Sequence, residues 1–160
     1  MKHTSTIVWK RAVLCLLVAV VAVAPVLAQD TDEGDRTVPE FIRQTGLHRI
    51  SGYVSLGLAG ATAAFGLIGV EEEGALSVIH PVLGISTMGS MLTSQVLGTI
   101  AYRDRLARVW PHTLLNAAAV VGFGLNAFVW EQGSVEHRIT GIASIGALAG
   151  GYVSIILIER

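Results

Sequence analysis

The sequence predicts an all-α membrane protein: an antiparallel, up-and-down four-helix transmembrane bundle preceded by a signal peptide. Three observations predict it. The chain has 160 residues, 52% of them hydrophobic and only 14% charged, whereas a soluble domain carries about a quarter charged residues. Four long apolar runs, Leu47–Val70, Ile79–Tyr102, Pro111–Trp130 and His137–Ile158, keep almost all charge at their ends and in the connections. Runs of about 20 apolar residues match the hydrocarbon thickness of a bilayer. These runs also lack the alternation that marks a membrane barrel strand. The net charge of -1 offers no electrostatic case for nucleic acid.

Residues 1–28 read as a secretory signal. Lys2, Lys10 and Arg11 form a basic start, Ala12 to Ala24 a short apolar segment, and Val26-Leu27-Ala28 a cleavage point before Gln29. The single cysteine, Cys15, falls within it, so the mature chain can form no disulfide and no thiolate metal site. Residues 29–46 open as an acidic, solvated tail. Thr37-Val38-Pro39-Glu40-Phe41-Ile42-Arg43 can then start a short interfacial helix that Gly46 ends. The domain from 47 to 158 follows. Its joins are an acidic Glu71-Glu72-Glu73-Gly74, a basic Arg103-Asp104-Arg105 with Arg108, and Glu131-Gln132-Gly133-Ser134. Joins this short make consecutive helices antiparallel neighbours. Trp110 and Trp130 bracket the third run, as interfacial tryptophans do. Most of the 18 glycines lie inside the runs, where small residues let helices pack closely.

Of the five histidines, His3 lies in the leader, and each of the other four is the first or second residue of an apolar run. His48 is followed by Gly52, His80 by Gly84 and His137 by Gly141, each four residues on, whereas Asn116 takes that place after His112. Residues four apart share a helix face. A flat macrocycle beside a histidine needs open space, which a glycine one turn away would leave. Alternating chain direction puts the starts of the first and third helices at one level and those of the second and fourth at the other. His48 therefore pairs with His112, and His80 with His137, each across a bundle diagonal. Two histidines facing across a core can ligate one haem iron from both sides, so the chain offers two bis-histidine sites. Zinc or copper would want its ligands gathered at one point, and two separated pairs do not supply that.

HPVLG (80–84) followed by Gln95, HRITG (137–141) and HRISG (48–52) resemble the cytochrome b561 family, and the resemblance covers residues 47–158. HTLLN (112–116) departs at its last residue. The resemblance implies a core of four helices with one histidine each, holding two b-type haems near opposite faces and passing electrons across the membrane. Carried over by position, it makes His48, His80, His112 and His137 the axial ligands of two haem b groups per chain. The partners it implies are membrane lipid and an electron donor and acceptor, a quinone or a redox protein.

Arg49 and Arg138, each directly following a ligand, are the arginines best placed for haem propionates, since the guanidinium fork suits carboxylates. Arg103, Arg105 and Arg108 lie at the His48–His112 level. Met88 and Met91 form a helical pair that suits core packing, with a place in a haem pocket or as axial ligands the alternative. Ser86, Thr87, Thr93, Ser94 and Gln95 give the second run a polar stripe able to bond to neighbouring helices or to form part of a proton path. The signal sequence puts the start of the first span outside the cytoplasm, in a multi-pass protein of the plasma (inner) membrane. The basic 103–108 connection then also lies outside, against the positive-inside tendency. No Ser-His-Asp spacing, phosphate loop or carboxylate pair within the runs points to hydrolysis or group transfer. The contrasting class is a non-redox four-helix membrane protein, an assembly or metal-transport component without haem.

Overall fold

The computed structural model describes residues 37–68 and 75–159, and these are helical apart from short connections, with no strand among them. The elements in order are α1 (Thr37–Thr45), α2 (Leu47–Ile68), α3 (Ala75–Ala101), a 3-10 turn (Arg103–Arg105), α4 (Trp110–Phe128) and α5 (Val135–Glu159). The signal peptide, the acidic tail to residue 36 and the Glu71–Gly74 connection lie outside the described residues.

Local chemistry sets the boundaries. Gly46 takes a left-handed φ of +66°, which closes α1 without the Cβ clash another residue would meet. The Ile50 N–H returns to the Gly46 carbonyl as α2 begins. The α3 helix starts at Ala75, earlier than the apolar run suggests, so His80 sits inside the helix and not at its head. Pro81 follows it within the helix. Pro111 lies in the first turn of α4, where its missing N–H costs nothing. Gly133, at φ +81°, turns the chain into α5. The Ser134 hydroxyl there accepts the His137 backbone N–H at 3.1 Å, an N-cap that fixes the turn bearing His137.

The helices pair as two antiparallel hairpins, α2 with α3 and α4 with α5. The hairpins join along α3 and α4, and α2 meets α5 more lightly. Consecutive helices are therefore neighbours, and α2–α4 and α3–α5 are diagonals. The α1 helix lies across the α3 end. Ile42 is buried there, and Arg43 donates to the Ala101 carbonyl and to Asp104 at 2.5 Å.

The residues are distributed inside out relative to a soluble bundle. Ser55, Thr62, Thr87, Gln95, Thr99 and Ser144 are buried, whereas Leu67, Ile142 and Leu157 are 84%, 74% and 66% exposed. Three of these hydroxyls pair between α2 and α3, Ser55 with Ser90 at 2.9 Å and Thr62 with Thr87 at 3.1 Å, whereas Thr99 and Ser144 bond to carbonyls of their own helices. Within the polar stripe of α3, Thr87 and Ser94 thus face α2, whereas Ser86 and Thr93 face outward. Between the two ends lies an apolar plug of Ala59, Met88, Met91, Ala119, Val120, Phe123 and Leu148, which gives both methionines a packing role. By length and composition, two helices are apolar enough to cross a membrane, over Leu47–Leu67 and Val135–Ile158. The runs in α3 and α4 fall short of that measure among the described residues. Their serines, threonines and asparagines, part of which pair inside the bundle, dilute an apolar exterior.

Candidate functional site

Each histidine reaches across its own hairpin. His48 Nδ1 donates to the Ser94 carbonyl at 2.9 Å, and His80 Nδ1 to the Thr62 carbonyl at 3.0 Å. His112 Nδ1 donates to the Gly151 carbonyl at 2.7 Å. For His137 Nδ1 the facing group is the Asn126 carbonyl, but no partner of that nitrogen lies within hydrogen-bond geometry. One rule generates all four. Thr62, Ser94, Asn126 and Gly151 each lie fourteen residues beyond the histidine of their own helix. Every helix therefore holds its own histidine at one level and receives its hairpin partner's at the other. Fourteen residues at 1.5 Å rise set the two levels about 21 Å apart.

The ends then meet across the diagonals. At one level His80 Nε2 lies 3.5 Å from His137 Nε2, with ring centroids 5.8 Å apart at 60°. At the other, His48 and His112 rings lie 6.2 Å apart, nearly perpendicular at 86°. These are the pairs that chain direction gives. A carbonyl acceptor requires hydrogen on Nδ1, which leaves Nε2 a free lone pair, the tautomer a metal ligand needs. His80 so aims a lone pair at His137. A metal–imidazole bond of about 2 Å puts the nitrogens of a bis-histidine site about 4 Å apart and the ring centroids about 6 Å apart. The His80–His137 pair comes within about half an ångström of both distances, and the His48–His112 pair matches the centroid separation. Among the described residues no group of three or more His, Cys, Asp or Glu gathers to hold a metal ion, so what the site offers is two ligands at a time.

A cavity of 420 Å³ opens at the His48–His112 level, within the size range of small-molecule sites, and both histidines line it with Arg49, Gly52, Arg105 and Asn116. Two arginines at its wall suit an anionic rim. Arg138, expected at the opposite level, is exposed there. Arg108 instead donates to the Ile158 carbonyl at 3.3 Å. Tyr102 stands edge-on to His48, centroids 5.7 Å apart, and Arg43 of α1 covers the outer side of Tyr102 at 5.5 Å. The α1 helix thus packs beside this end, against α2 and α3.

The glycines differ from the expectation. Gly52, Gly84 and Gly141 face Ser94, Thr62 and Asn126 of the hairpin partner, so their small size serves helix approach, although Gly52 also lines the cavity. The glycines under the imidazoles are Gly98 and Gly66. A Cβ on Gly98 would stand 2.6 Å from His48 Cε1, and one on Gly66 would stand 2.8 Å from His80 Cε1. Both lie eighteen residues past the histidine of their own helix, a repeat of the same kind as the fourteen-residue offset and readable from sequence. Asn116, the departure in the fourth motif, places its amide nitrogen 3.1 Å from His112 Nε2, on the nitrogen an iron would use.

No family model, curated protein or solved structure matches this chain.

Proposed function

We propose that the chain is a four-helix transmembrane protein that holds two haem b groups, one between His48 and His112 and one between His80 and His137, and carries electrons from one membrane face to the other. The observation that carries the reading is the two-level pairing: four histidines, tethered through Nδ1 or facing a carbonyl there, presented to one another two by two at opposite ends of an apolar plug. The exposed leucines, isoleucines and valines support a lipid surround. The haem iron supplies the one-electron chemistry when bound. The chain's own residues orient the ligand nitrogens, exclude water through Met88, Met91, Val120 and Phe123, and bring Arg49 and Arg105 to the rim of one site. A quinone or a redox protein is the class of partner such a carrier serves, with the α1 end outside the cytoplasm in the plasma membrane. Membranes containing the protein are expected to give a reduced-minus-oxidised b-type haem spectrum. A colourless protein from haem-replete cells overturns the reading.

A second reading draws on one observation, the Asn116 amide already bonded to His112 Nε2. In it the protein is a non-redox four-helix membrane component whose histidines serve packing or a metal ion. Stoichiometric zinc or copper without iron after gentle extraction is its signature.

A further inference from the structure

Among the described residues, three side-chain polar atoms are buried without any hydrogen-bond partner: Asn126 Oδ1, Trp130 Nε1 and His137 Nδ1. All three belong to the same end of the α4–α5 hairpin. Asn126 lies in the last turn of α4, Trp130 stands two residues beyond its end, and His137 follows on the first turn of α5. The Asn126 side chain packs against Gly141, one turn along from His137; a Cβ there would lie 2.9 Å from its amide nitrogen. A buried polar atom is unfavourable unless it is paired, and three at one hairpin end call for a group that pairs with all of them. Their chemistry says which group. Trp130 Nε1–H and a ligating His137 Nδ1–H are donors and Asn126 Oδ1 is an acceptor. A carboxylate serves only the donors. One water accepts from both and donates to the third, and buried waters make about three such bonds.

We propose that Asn126 and Trp130 are positioning residues that hold an ordered water against His137 Nδ1. Resting on the haem reading above, the inference extends a pattern: three histidines donate directly to a backbone carbonyl of the partner helix, and the fourth reaches the side chain of the residue at the matching position, Asn126, through one water. The tether makes the imidazole a more basic ligand, which favours the oxidised iron. The purified full-length, haem-loaded protein tests it by a redox titration that resolves the two haems, the His80–His137 haem being the one lost in His137→Ala. Trp130→Phe and Asn126→Leu are expected each to raise that haem's midpoint potential and to leave the other unmoved. Asn126→Asp, which keeps the side-chain shape and strengthens the acceptor, is expected to lower it. Unchanged potentials in all three variants, with both haems retained, overturn the water tether and leave the haem reading standing. Should Trp130→Phe fail to retain haem, the shape-preserving Asn126→Asp decides. Absence of haem from the wild-type protein overturns the haem reading itself.

Discussion

Replacing Gly98 by alanine puts a methyl group into the seat of the His48 ring. The new Cβ would stand 2.6 Å from Cε1 and 2.7 Å from Nδ1, against an ordinary contact of about 3.5 Å. The ring must retreat from α3 by about 0.9 Å to restore that contact. The backbone of α3 cannot give way easily, because Gly98 is inside a packed helix and its carbonyl accepts the Tyr102 N–H. Yet the ring is fastened to the same helix by the Ser94 carbonyl at 2.9 Å, and a retreat of that size breaks the bond. Overpacking costs about 1–3 kcal/mol and the lost bond about 1 kcal/mol. Together they amount to about 2–4 kcal/mol, or about 30- to 1,000-fold in haem affinity at the His48–His112 site. Titration of haem into the apoprotein, with the two sites resolved by potential, reads this directly. Gly66→Ala, whose Cβ would stand 2.8 Å from His80 Cε1, should weaken the other site instead. Gly57→Ala and Gly60→Ala, where a Cβ meets nothing within 4 Å, should weaken neither. Wild-type affinity in Gly98→Ala, or an equal loss in Gly57→Ala, refutes the assignment of Gly98 as the histidine seat.

The hydroxyls of Thr62 and Thr87 bond across α2 and α3 at 3.1 Å. A double-mutant cycle with Thr62→Val and Thr87→Val should return a coupling of about 0.6 kcal/mol in unfolding from detergent, and strict additivity contradicts it. Ser134→Ala removes the cap on the His137 backbone N–H and should cost about 1 kcal/mol of stability, read as a lower midpoint of thermal unfolding. Arg43→Ala releases α1 from Ala101 and from a half-exposed Asp104, where the ion pair alone is worth about 0–1 kcal/mol. Limited proteolysis should then cut near residues 37–46 faster while haem content holds.

The pairing of the histidines was legible because it needs only chain direction: alternate helices start at the same end, and the short joins leave no other order. The helical class followed from the same uninterrupted runs. The seats of the rings were not read. A spacing of four residues says that Gly52 shares a face with His48, but not which neighbour comes to that face, and in the fold it is Ser94. What approaches a position is fixed by how two helices cross, and the fourteen- and eighteen-residue offsets record that crossing in the sequence. The apolarity of α3 and α4 misleads in a similar way. Thr87, Gln95 and Thr99 lower the average of α3 but are buried, so a mean over the helix says little about the face it turns outward. Trp130, expected at the membrane interface, brings a buried indole N–H to the α4–α5 end.

The most direct test of the two-haem account is the amount of haem iron per chain in the purified full-length protein, measured together with zinc and copper. The account predicts two irons per chain, both as b-type haem, falling to one in His137→Ala and to one in His48→Ala, with a different haem surviving in each. An iron-free protein from haem-replete cells, or the same haem surviving in both variants, contradicts it.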